Sequence, residues 1–270
     1  MMRRAIIAFS ALALLACYAP ILRGMFDQWS SDEDMGHGFV VPIVVMWIVY
    51  RERERWQSLP PRPTLWGLPL LAAGAAMHFT SAVGAGLFAG SVAFLVSLTG
   101  AIICLCGFAY LRAWTFPLLL TLFMLPKLAV VYNQATLPLQ LLASRVAASM
   151  LTVAGVGVIR EGNILDVAGH RVSVVEACNG IRYLLSLGFM AVVFAYLSDS
   201  KPWMRIALLL TALPLAILAN AIRVAAAASA PSLDSGTPHA ILGWLIFVLC
   251  LMTLMLMRRV FSEVHTRYHA

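Results

Sequence analysis

The sequence predicts an all-α membrane protein: a polytopic transmembrane helical bundle of about seven or eight spans with a small β-hairpin on its outer face. Hydrophobic residues make up 61% of the 270-residue chain and charged residues only 11%, a composition outside the range of soluble globular domains. Apolar runs of roughly 18 to 25 residues recur along the chain, and about 20 helical residues cross a bilayer. Short basic clusters separate these runs, as is typical of multi-pass membrane proteins.

Eight apolar runs are candidate spans, and we place them at residues 5–26, 38–50, 64–79, 87–109, 114–131, 178–197, 206–228 and 240–257. The second and third runs are short, so one of them could be tilted or only partly inserted, and seven spans are as acceptable as eight. Polar residues interrupt the apolar stretch 132–155, and another crossing would break the alternation of basic clusters. We therefore expect that stretch to lie in the outer interface or to re-enter the membrane.

The basic clusters predict the orientation of the chain. With eight alternating spans, they all fall on the cytoplasmic side; they are Arg3, Arg4, Arg51, Arg53, Arg55, Arg112, Lys201, Arg205, Arg258 and Arg259. The first run also has features of a signal peptide, but no clear small-residue cleavage site follows it, so we interpret it as an anchor. We expect one integral membrane domain, 1–270, in the inner (plasma) membrane, with 258–270 as a short cytoplasmic tail.

The net charge of +7 follows from this topology, so membrane lipids are expected partners and nucleic acid is not. Residues 163–176 are the extramembrane segment that we expect to fold. Two β-rich runs flank Ala168-Gly169-His170, and residues 171–174 alternate polar and apolar side chains, which predicts a β-hairpin. The hairpin leads directly into the start of the sixth span, so it can fix the position of Cys178.

One of the five cysteines has a polar setting. The other four lie in apolar spans, where a thiol behaves as a small hydrophobe; they are Cys17, Cys104, Cys106 and Cys250. Cys178 opens a span, near Glu176, Asn179 and Arg182. The helix N terminus, and the charge of Arg182 on the same helical face, favour the thiolate form of Cys178. The alternative is an unreactive interfacial cysteine, with Arg182 extending to the lipid headgroups.

Two more residues are predicted at the membrane level of Cys178. Arg223 lies near the outer end of the seventh span, with Asn220 on the same helical face, and an arginine at that depth is costly unless it is paired or lines a polar cavity. His239 opens the eighth span. A thiol, an imidazole and a guanidinium together can act as a nucleophile, a general acid/base and an anion binder. An arginine reaching lipid phosphate and a helix-capping histidine are the alternatives.

These motifs resemble the exosortase and archaeosortase family of membrane transpeptidases. The resemblance covers Glu-Ala-Cys-Asn-Gly-Ile-Arg at 176–182, Asn-Ala-Ile-Arg at 220–223, His239 at the head of the last span, and Gly-His-Gly-Phe-Val-Val-Pro at 36–42 in the first outer loop. It also includes the hairpin before the cysteine. Asn179 stands where many members have Ser or Ala, and Met35-Gly36 precede His37 where Tyr-Ser is common.

The resemblance implies a cysteine protease or transpeptidase whose catalytic triad is Cys178, Arg223 and His239. We add as supporting or substrate-binding candidates His37, Glu176, Asn179, Arg182 and Asn220. The implied substrates are exported proteins with a C-terminal signal, made of a short motif such as Pro-Glu-Pro, a transmembrane helix and a basic cluster. Cleavage at the outer face would pass through a thioester. The sequence does not choose between water and an amine as acceptor, nor does it set the oligomeric state.

Other function classes stay open at this point. A non-catalytic component of a polysaccharide-export system would tolerate Cys178→Ser. A transporter would line its path with Arg223 and His239, and it predicts internal repeats or broken midplane helices, of which the sequence shows no convincing example. A lipid-handling acyltransferase would also use an outer-face cysteine. No cofactor or metal is predicted, because phosphate-binding glycine motifs and metal-ligand spacings are missing.

Overall fold

A computed structural model of the chain describes residues 2–174, 180–198, 201–233 and 236–269. The chain divides into two compact units, Met1–Leu128 and Ala129–Ala270. Within the described residues five helical segments are long and apolar enough to cross a membrane, or six if a bent pair near the N terminus counts as one span. The predicted fold class, a helical multi-pass bundle with a small β-structure, is confirmed. The single-domain organisation stays a prediction.

The first unit is entirely helical in its regular structure. Its α-helices are α1 (Met2–Cys17), α2 (Ala19–Ser31), α3 (Val40–Arg51), α4 (Arg53–Gln57), α5 (Leu68–Thr80), α6 (Gly86–Cys106), α7 (Phe108–Ala113) and α8 (Thr115–Leu120). Short 3-10 helices occur at Glu33–Phe39, Leu65–Gly67 and Thr121–Met124, and a π-helical turn occurs at Ser81–Ala85.

The first predicted span, 5–26, is broken into α1 and α2, whose axes differ by 64°. Pro20 at the start of α2 accounts for the break, because proline lacks the N–H that would bond the preceding turn. Tyr18 lies at the bend and is 4% exposed, with its hydroxyl oxygen 2.8 Å from that of Ser97. The bend is therefore anchored on α6.

Helices α5 and α6 fold back on each other as an antiparallel hairpin. A Cβ added to Gly74 of α5 would overlap the side chain of Ser97 on α6, and a Cβ on Gly67 would overlap the α6 backbone. These glycines thus let the two helices approach closely. The chain reverses at the π-helical turn, where Gly84 has a φ of 141°. The apolar segment Leu65–Cys106 consequently covers most of the third and fourth predicted spans, 64–79 and 87–109.

The prediction of one helix over 114–131 is wrong. Helix α8 continues only as far as the 3-10 turn Thr121–Met124, and the chain is not helical again until Ala129. Leu125 has an extended conformation, with ψ at 141°, because the residue before a proline is pushed out of the helical region. Pro126 therefore ends the helix well before the apolar stretch ends.

The described residues of the second unit form four α-helices, a short 3-10 helix at Pro231–Leu233 and a small sheet. Its elements are α9 (Ala129–Val153), β1 (Val158–Glu161), β2 (Ile164–Val167), β3 (His170–Ser173), α10 (Ile181–Leu197), α11 (Pro202–Ser229) and α12 (Gly236–His269). Helix α9 is continuous over 25 residues and is apolar enough to span a membrane. Its length alone thus permits the crossing that the basic clusters argue against.

The sheet is antiparallel with strand order β1-β2-β3. Strands β2 and β3 form the predicted hairpin, and β1 is an additional strand that the sequence analysis did not find. Ala168 and Gly169 form the turn, with φ values of 52° and 85°, as two-residue hairpin turns require. The side chain of Asp166 accepts a hydrogen bond from the Gly169 N–H at 3.0 Å, which stabilises this turn.

The apolar face of the sheet packs on α9 and α11. Leu165 and Val172 are buried there together with Ala147 of α9 and Val224 of α11. The alternation predicted for β3 is therefore real: one face is buried and the other carries charged groups. Because Val224 follows Arg223, the sheet lies beside the end of α11 that carries this arginine.

Candidate active site

Three predicted site residues, Glu176, Cys178 and Asn179, lie outside the described residues. The described chain resumes at Gly180 and enters α10 at Ile181. The described side chains of the candidate site therefore lie where α10, α11 and α12 meet, within the second unit. These three helices pack against one another.

Arg223 is the one charged side chain that is buried among the described residues of this unit, with only 4% of its surface exposed. Small residues around it, including Ala219, Ala221, Ala225 and Ala227, are also buried, so α11 packs closely on its neighbours. Among the described residues no carboxylate forms an ion pair with Arg223, and its Nε has no hydrogen-bond partner. Burying a polar group without a partner costs about 1–3 kcal/mol, and within the described residues no hydrogen bond to Nε offsets that cost.

Two residues from neighbouring helices surround the guanidinium of Arg223. Its Cζ lies 6.0 Å from the ring centroid of Tyr183 on α10, at the outer limit of a cation–π contact. On the α12 side it faces Gly243, where an added Cβ would lie 3.7 Å from Nε and 3.8 Å from Cζ. The Tyr183 hydroxyl donates a long hydrogen bond of 3.4 Å to the Gly243 carbonyl. Arg223 therefore lies where all three helices meet.

His239 lies in the first turn of α12 and is partly buried. Its Nδ1 is 2.7 Å from the carbonyl oxygen of Leu233. Since a carbonyl oxygen can only accept, Nδ1 is the donor of this hydrogen bond, and Nε2 is the ring nitrogen left for proton transfer. Gly243 follows His239 by four residues, so the two share one face of α12. The helix face that meets Arg223 is thus the face that carries His239.

Asn220 lies one helical turn before Arg223 on α11 and is 3% exposed. It packs directly on Gly180, where an added Cβ would lie 3.1 Å from both Cγ and Nδ2 of Asn220. Gly180 has a φ of 84°, a conformation that glycine adopts readily and other residues do not. This contact holds the start of α10 against α11. Arg182, in the first turn of α10, is half-buried beside it.

A cavity of about 10 Å³ adjoins this contact and is lined by Gly180, Asn220 and residues of α9, α10 and α11. That volume is about the size needed for a single water molecule. The start of α10 is therefore tightly packed against α9 and α11.

His37, the remaining supporting candidate, belongs to the first unit. Its Nε2 lies 3.0 Å from the carbonyl oxygen of Phe123, and its Nδ1 lies 3.2 Å from that of Asp34. Both ring nitrogens thus face backbone carbonyls, which fixes the ring between the 3-10 helix Glu33–Phe39 and the 3-10 turn after α8. The predicted role of His37 in binding substrate stays a prediction.

Lys127 forms an ion cluster near His37 that sequence reasoning missed. Its Nζ lies 2.8 Å from a carboxylate oxygen of Asp32 and 2.8 Å from one of Asp34. Burial by itself lowers the pKa of Lys127, but the hydrogen bonds to the two carboxylates outweigh that effect and hold the pKa above its ordinary value. The cluster ties the loop after α2 to the segment before α9.

Tyr183 and Gly243 were also not predicted. Neither residue carries a charge, so neither has a hydropathy signal inside an apolar span. The spacing of four residues between His239 and Gly243, and the position of Tyr183 directly after Arg182, were the available signals. Their significance depends on how the helices pack, which the sequence alone does not show.

Comparison with known proteins decides the family. The sequence model of a family described as transmembrane exosortase matches residues 29–256. The chain belongs to this family. The match includes Arg223, His239 and the position of Cys178, and it confirms the resemblance found in the motifs. No curated protein and no solved structure matches the chain.

The exosortase family is a family of membrane proteases and transpeptidases that act on sorting-signal substrates. Family membership and the apolar helices together establish a multi-pass membrane protein.

Proposed function

We propose that this exosortase is a membrane-embedded cysteine protease or transpeptidase that cleaves the C-terminal sorting signal of exported proteins at the outer face of the inner membrane. Cys178 is the nucleophile, His239 is the general acid/base and Arg223 binds the negative charge that develops on the substrate. The substrate signal consists of a short motif such as Pro-Glu-Pro, a transmembrane helix and a basic cluster.

The observation that carries this proposal is the burial of Arg223 without a carboxylate partner among the described residues. Buried structural arginines are normally paired with an acid, whereas Arg223 has no carboxylate partner among the described residues and lies beside the α12 face that carries His239. A guanidinium in that position suits a site whose negative group arrives with the substrate or forms during the reaction.

The position of Cys178 in the sequence supports its assignment to the same site. It precedes Gly180 by two residues, and Gly180 packs on Asn220, one turn from Arg223. The other four cysteines lie within α1, α6 and α12, and none of them lies at the start of a helix. Cys178 is thus the cysteine whose neighbours in the chain lead into this cluster.

The chemistry follows from these roles. The Cys178 thiol gives its proton to Nε2 of His239, and the sulfur attacks the scissile carbonyl carbon. Arg223 donates hydrogen bonds to the resulting oxyanion or to a carboxylate of the motif. The C–N bond then breaks, the imidazolium returns the proton to the leaving amine, and the acyl group remains on sulfur as a thioester. An acceptor attacks the thioester and restores the thiol; water makes the enzyme a protease and an amine makes it a transpeptidase.

The membrane selects the substrate in this proposal. A substrate helix whose basic cluster stays in the cytoplasm, beside the anionic lipids of the inner leaflet, presents its motif at the opposite face. The motif then needs to reach only one level of the enzyme, the end of α11 that carries Arg223. The length of the substrate helix therefore contributes to specificity along with the motif itself.

The test is processing of a co-expressed reporter that carries such a tripartite signal. Wild-type chain, Cys178→Ala and the matched control Cys17→Ala, at an exposed cysteine, are compared at equal membrane levels. We expect wild type and Cys17→Ala to shorten the reporter and Cys178→Ala to leave it intact. Equal processing by Cys178→Ala would contradict the cysteine mechanism. If neither the wild type nor either variant cleaves any of a panel of motifs, a non-catalytic or transport role is favoured instead.

A further inference from the structure

We infer that Tyr183 and Gly243 are positioning residues that form a seat for the Arg223 guanidinium and keep its charge available to the substrate. The seat is formed by residues of α10 and α12 around a side chain of α11. Its catalytic consequence rests on the function proposed above. Neither residue would touch the reacting atoms, so each acts through Arg223.

Tyr183 provides an aromatic surface for the guanidinium in place of an acid. Its side chain is 4% exposed and is packed in a cluster with Leu187, Ala216 and Ile246, so the ring has little freedom to move. The guanidinium carbon lies 6.0 Å from the ring centroid. A cation–π contact stabilises a buried cation without neutralising it, unlike a carboxylate, which would compete with an anionic substrate group.

Gly243 provides the space for the guanidinium on the α12 side. A Cβ at this position would lie 3.5 Å from the Tyr183 hydroxyl and 3.7 Å from Nε of Arg223, which is ordinary van der Waals contact. A single methyl group therefore fits, but the further carbons of a larger side chain would enter the volume that the guanidinium occupies. The Gly243 carbonyl also accepts the hydrogen bond from Tyr183, so the two parts of the seat hold each other.

The arrangement also couples Arg223 to His239. Gly243 lies one turn beyond His239 on the same face of α12, so the contact that seats the guanidinium also fixes the part of α12 from which the imidazole extends. In its oxyanion role Arg223 acts on charge that forms only during the reaction, so displacing the guanidinium from the seat is expected to slow the chemical step more than it weakens substrate binding. A loss of packing alone would have no such selectivity.

The first test is independent of activity. Full-length protein in detergent is treated with phenylglyoxal, which modifies arginine, and labelling of Arg223 is measured by peptide mass spectrometry relative to exposed Arg160. Gly243→Leu and Tyr183→Leu are compared with Ala240→Leu, which enlarges an exposed position of the same helix. We expect labelling of Arg223 to rise about tenfold in the two seat variants, as the loss of a buried cation–π contact would allow. Unchanged labelling in both would overturn the seat, whether or not the chain cleaves a sorting signal.

The second test asks whether the seat serves catalysis. With the reporter peptide, Tyr183→Leu and Gly243→Leu should lose about tenfold or more in kcat with little change in KM, whereas Tyr183→Phe and Gly243→Ala should retain most of it, because the ring and the space are kept. A loss in Tyr183→Phe as large as in Tyr183→Leu would overturn the role of the ring. Losses that track the thermal midpoint of each variant would show a packing role only. If labelling rises while no variant, wild type included, cleaves any signal, the seat stands and the proposed function fails.

Discussion

Replacing Arg223 by Met should make the protein more stable and inactive at the same time. The wild-type side chain buries a positive charge at 4% exposure, without an ion pair and with Nε unpartnered among the described residues. Methionine is a flexible, unbranched apolar side chain that replaces the aliphatic stem of arginine and carries no group that needs a partner. If the fold is more stable without Arg223, its presence is explained by function and not by stability.

The expected magnitudes follow from that environment. An unpartnered buried polar group costs about 1–3 kcal/mol, and replacing buried charges by apolar side chains of similar volume often stabilises a protein by about 1–4 kcal/mol. We therefore expect Arg223→Met to raise the free energy of unfolding by about 1–3 kcal/mol, and Tm by roughly 2–4 °C for each kcal/mol. Activity should fall by about 10²–10³, the usual cost of removing one donor to an oxyanion.

The assay measures both quantities on one preparation. Thermal unfolding in detergent and single-turnover cleavage of the reporter are compared for wild type, Arg223→Met, Arg223→Lys and Leu218→Met, an exposed control on the same helix. Arg223→Lys keeps the charge but loses the planar fork, so it should be inactive or slow without the gain in Tm. A fall in Tm of several degrees for Arg223→Met would refute the reasoning, because it would make Arg223 a structural residue. Retained activity would refute its role in the reaction.

Three further changes test other parts of the structure. Gly180→Ala should lower the turnover of the reporter and cost roughly 1–2 kcal/mol of stability, because φ is 84° and the new Cβ would press on Asn220. The control Gly157→Ala, whose Cβ meets nothing within 4 Å, should be neutral. Equal stability and turnover of the two variants would contradict the role of Gly180. His239→Asn keeps a donor for the Leu233 carbonyl but loses Nε2, so kcat should drop about 10²–10⁴ with little change in Tm; near-normal turnover would exclude His239 as the acid/base. Lys127→Met should destabilise the fold by about 2–4 kcal/mol, measured by thermal unfolding at pH 7. Adding Asp34→Asn to this variant should recover part of the lost stability. Unchanged stability of Lys127→Met would show that the ion cluster is not structural. The two carboxylate hydrogen bonds raise the pKa of Lys127 in the folded chain. The contribution of the Lys127 proton to stability is therefore fully present below the ordinary lysine pKa of about 10.4 and is lost as pH rises through the higher folded value.

The fold class was predictable because the hydrocarbon core leaves few alternatives. A chain this apolar must satisfy its backbone groups internally, which selects helices, and the helical bundle observed here confirms that expectation. The helix breaks were less predictable. Hydropathy averages over a window, whereas the bend at Tyr18 and the interruption at Leu125 are each caused by one proline, Pro20 and Pro126.

The β-structure was predicted in part for a similar reason. The turn at Ala168-Gly169 has a strong local signal, and it was found. Strand β1 is only four residues long and mostly exposed, so it has no clear alternation, and its pairing with β2 depends on the turn at Gly162, whose φ is 64°. Short exposed strands are recognised from their partner and not from their own pattern.

The charged part of the candidate site was predictable and its surroundings were not. Arg223 and His239 stand out in the sequence because charge in an apolar span is costly, and the structure places the α12 face of His239 against Arg223. Tyr183 and Gly243 contribute a ring and an empty space, which have meaning only once α10, α11 and α12 are packed. Asn220 belongs to both groups, since its polarity marked it and its contact with Gly180 explains it.

The most direct test of the central claim is capture of the acyl-enzyme. Purified full-length protein is mixed with a peptide that carries an intact sorting motif, of a kind the protein cleaves, and its transmembrane helix. The reaction is quenched in acid during turnover, and the protein is digested and analysed by mass spectrometry. We predict an adduct of the mass of the N-terminal substrate fragment on the peptide containing Cys178, removed by hydroxylamine and missing in Cys178→Ala. Steady cleavage with no adduct at Cys178, and undiminished in Cys178→Ala, would contradict the mechanism.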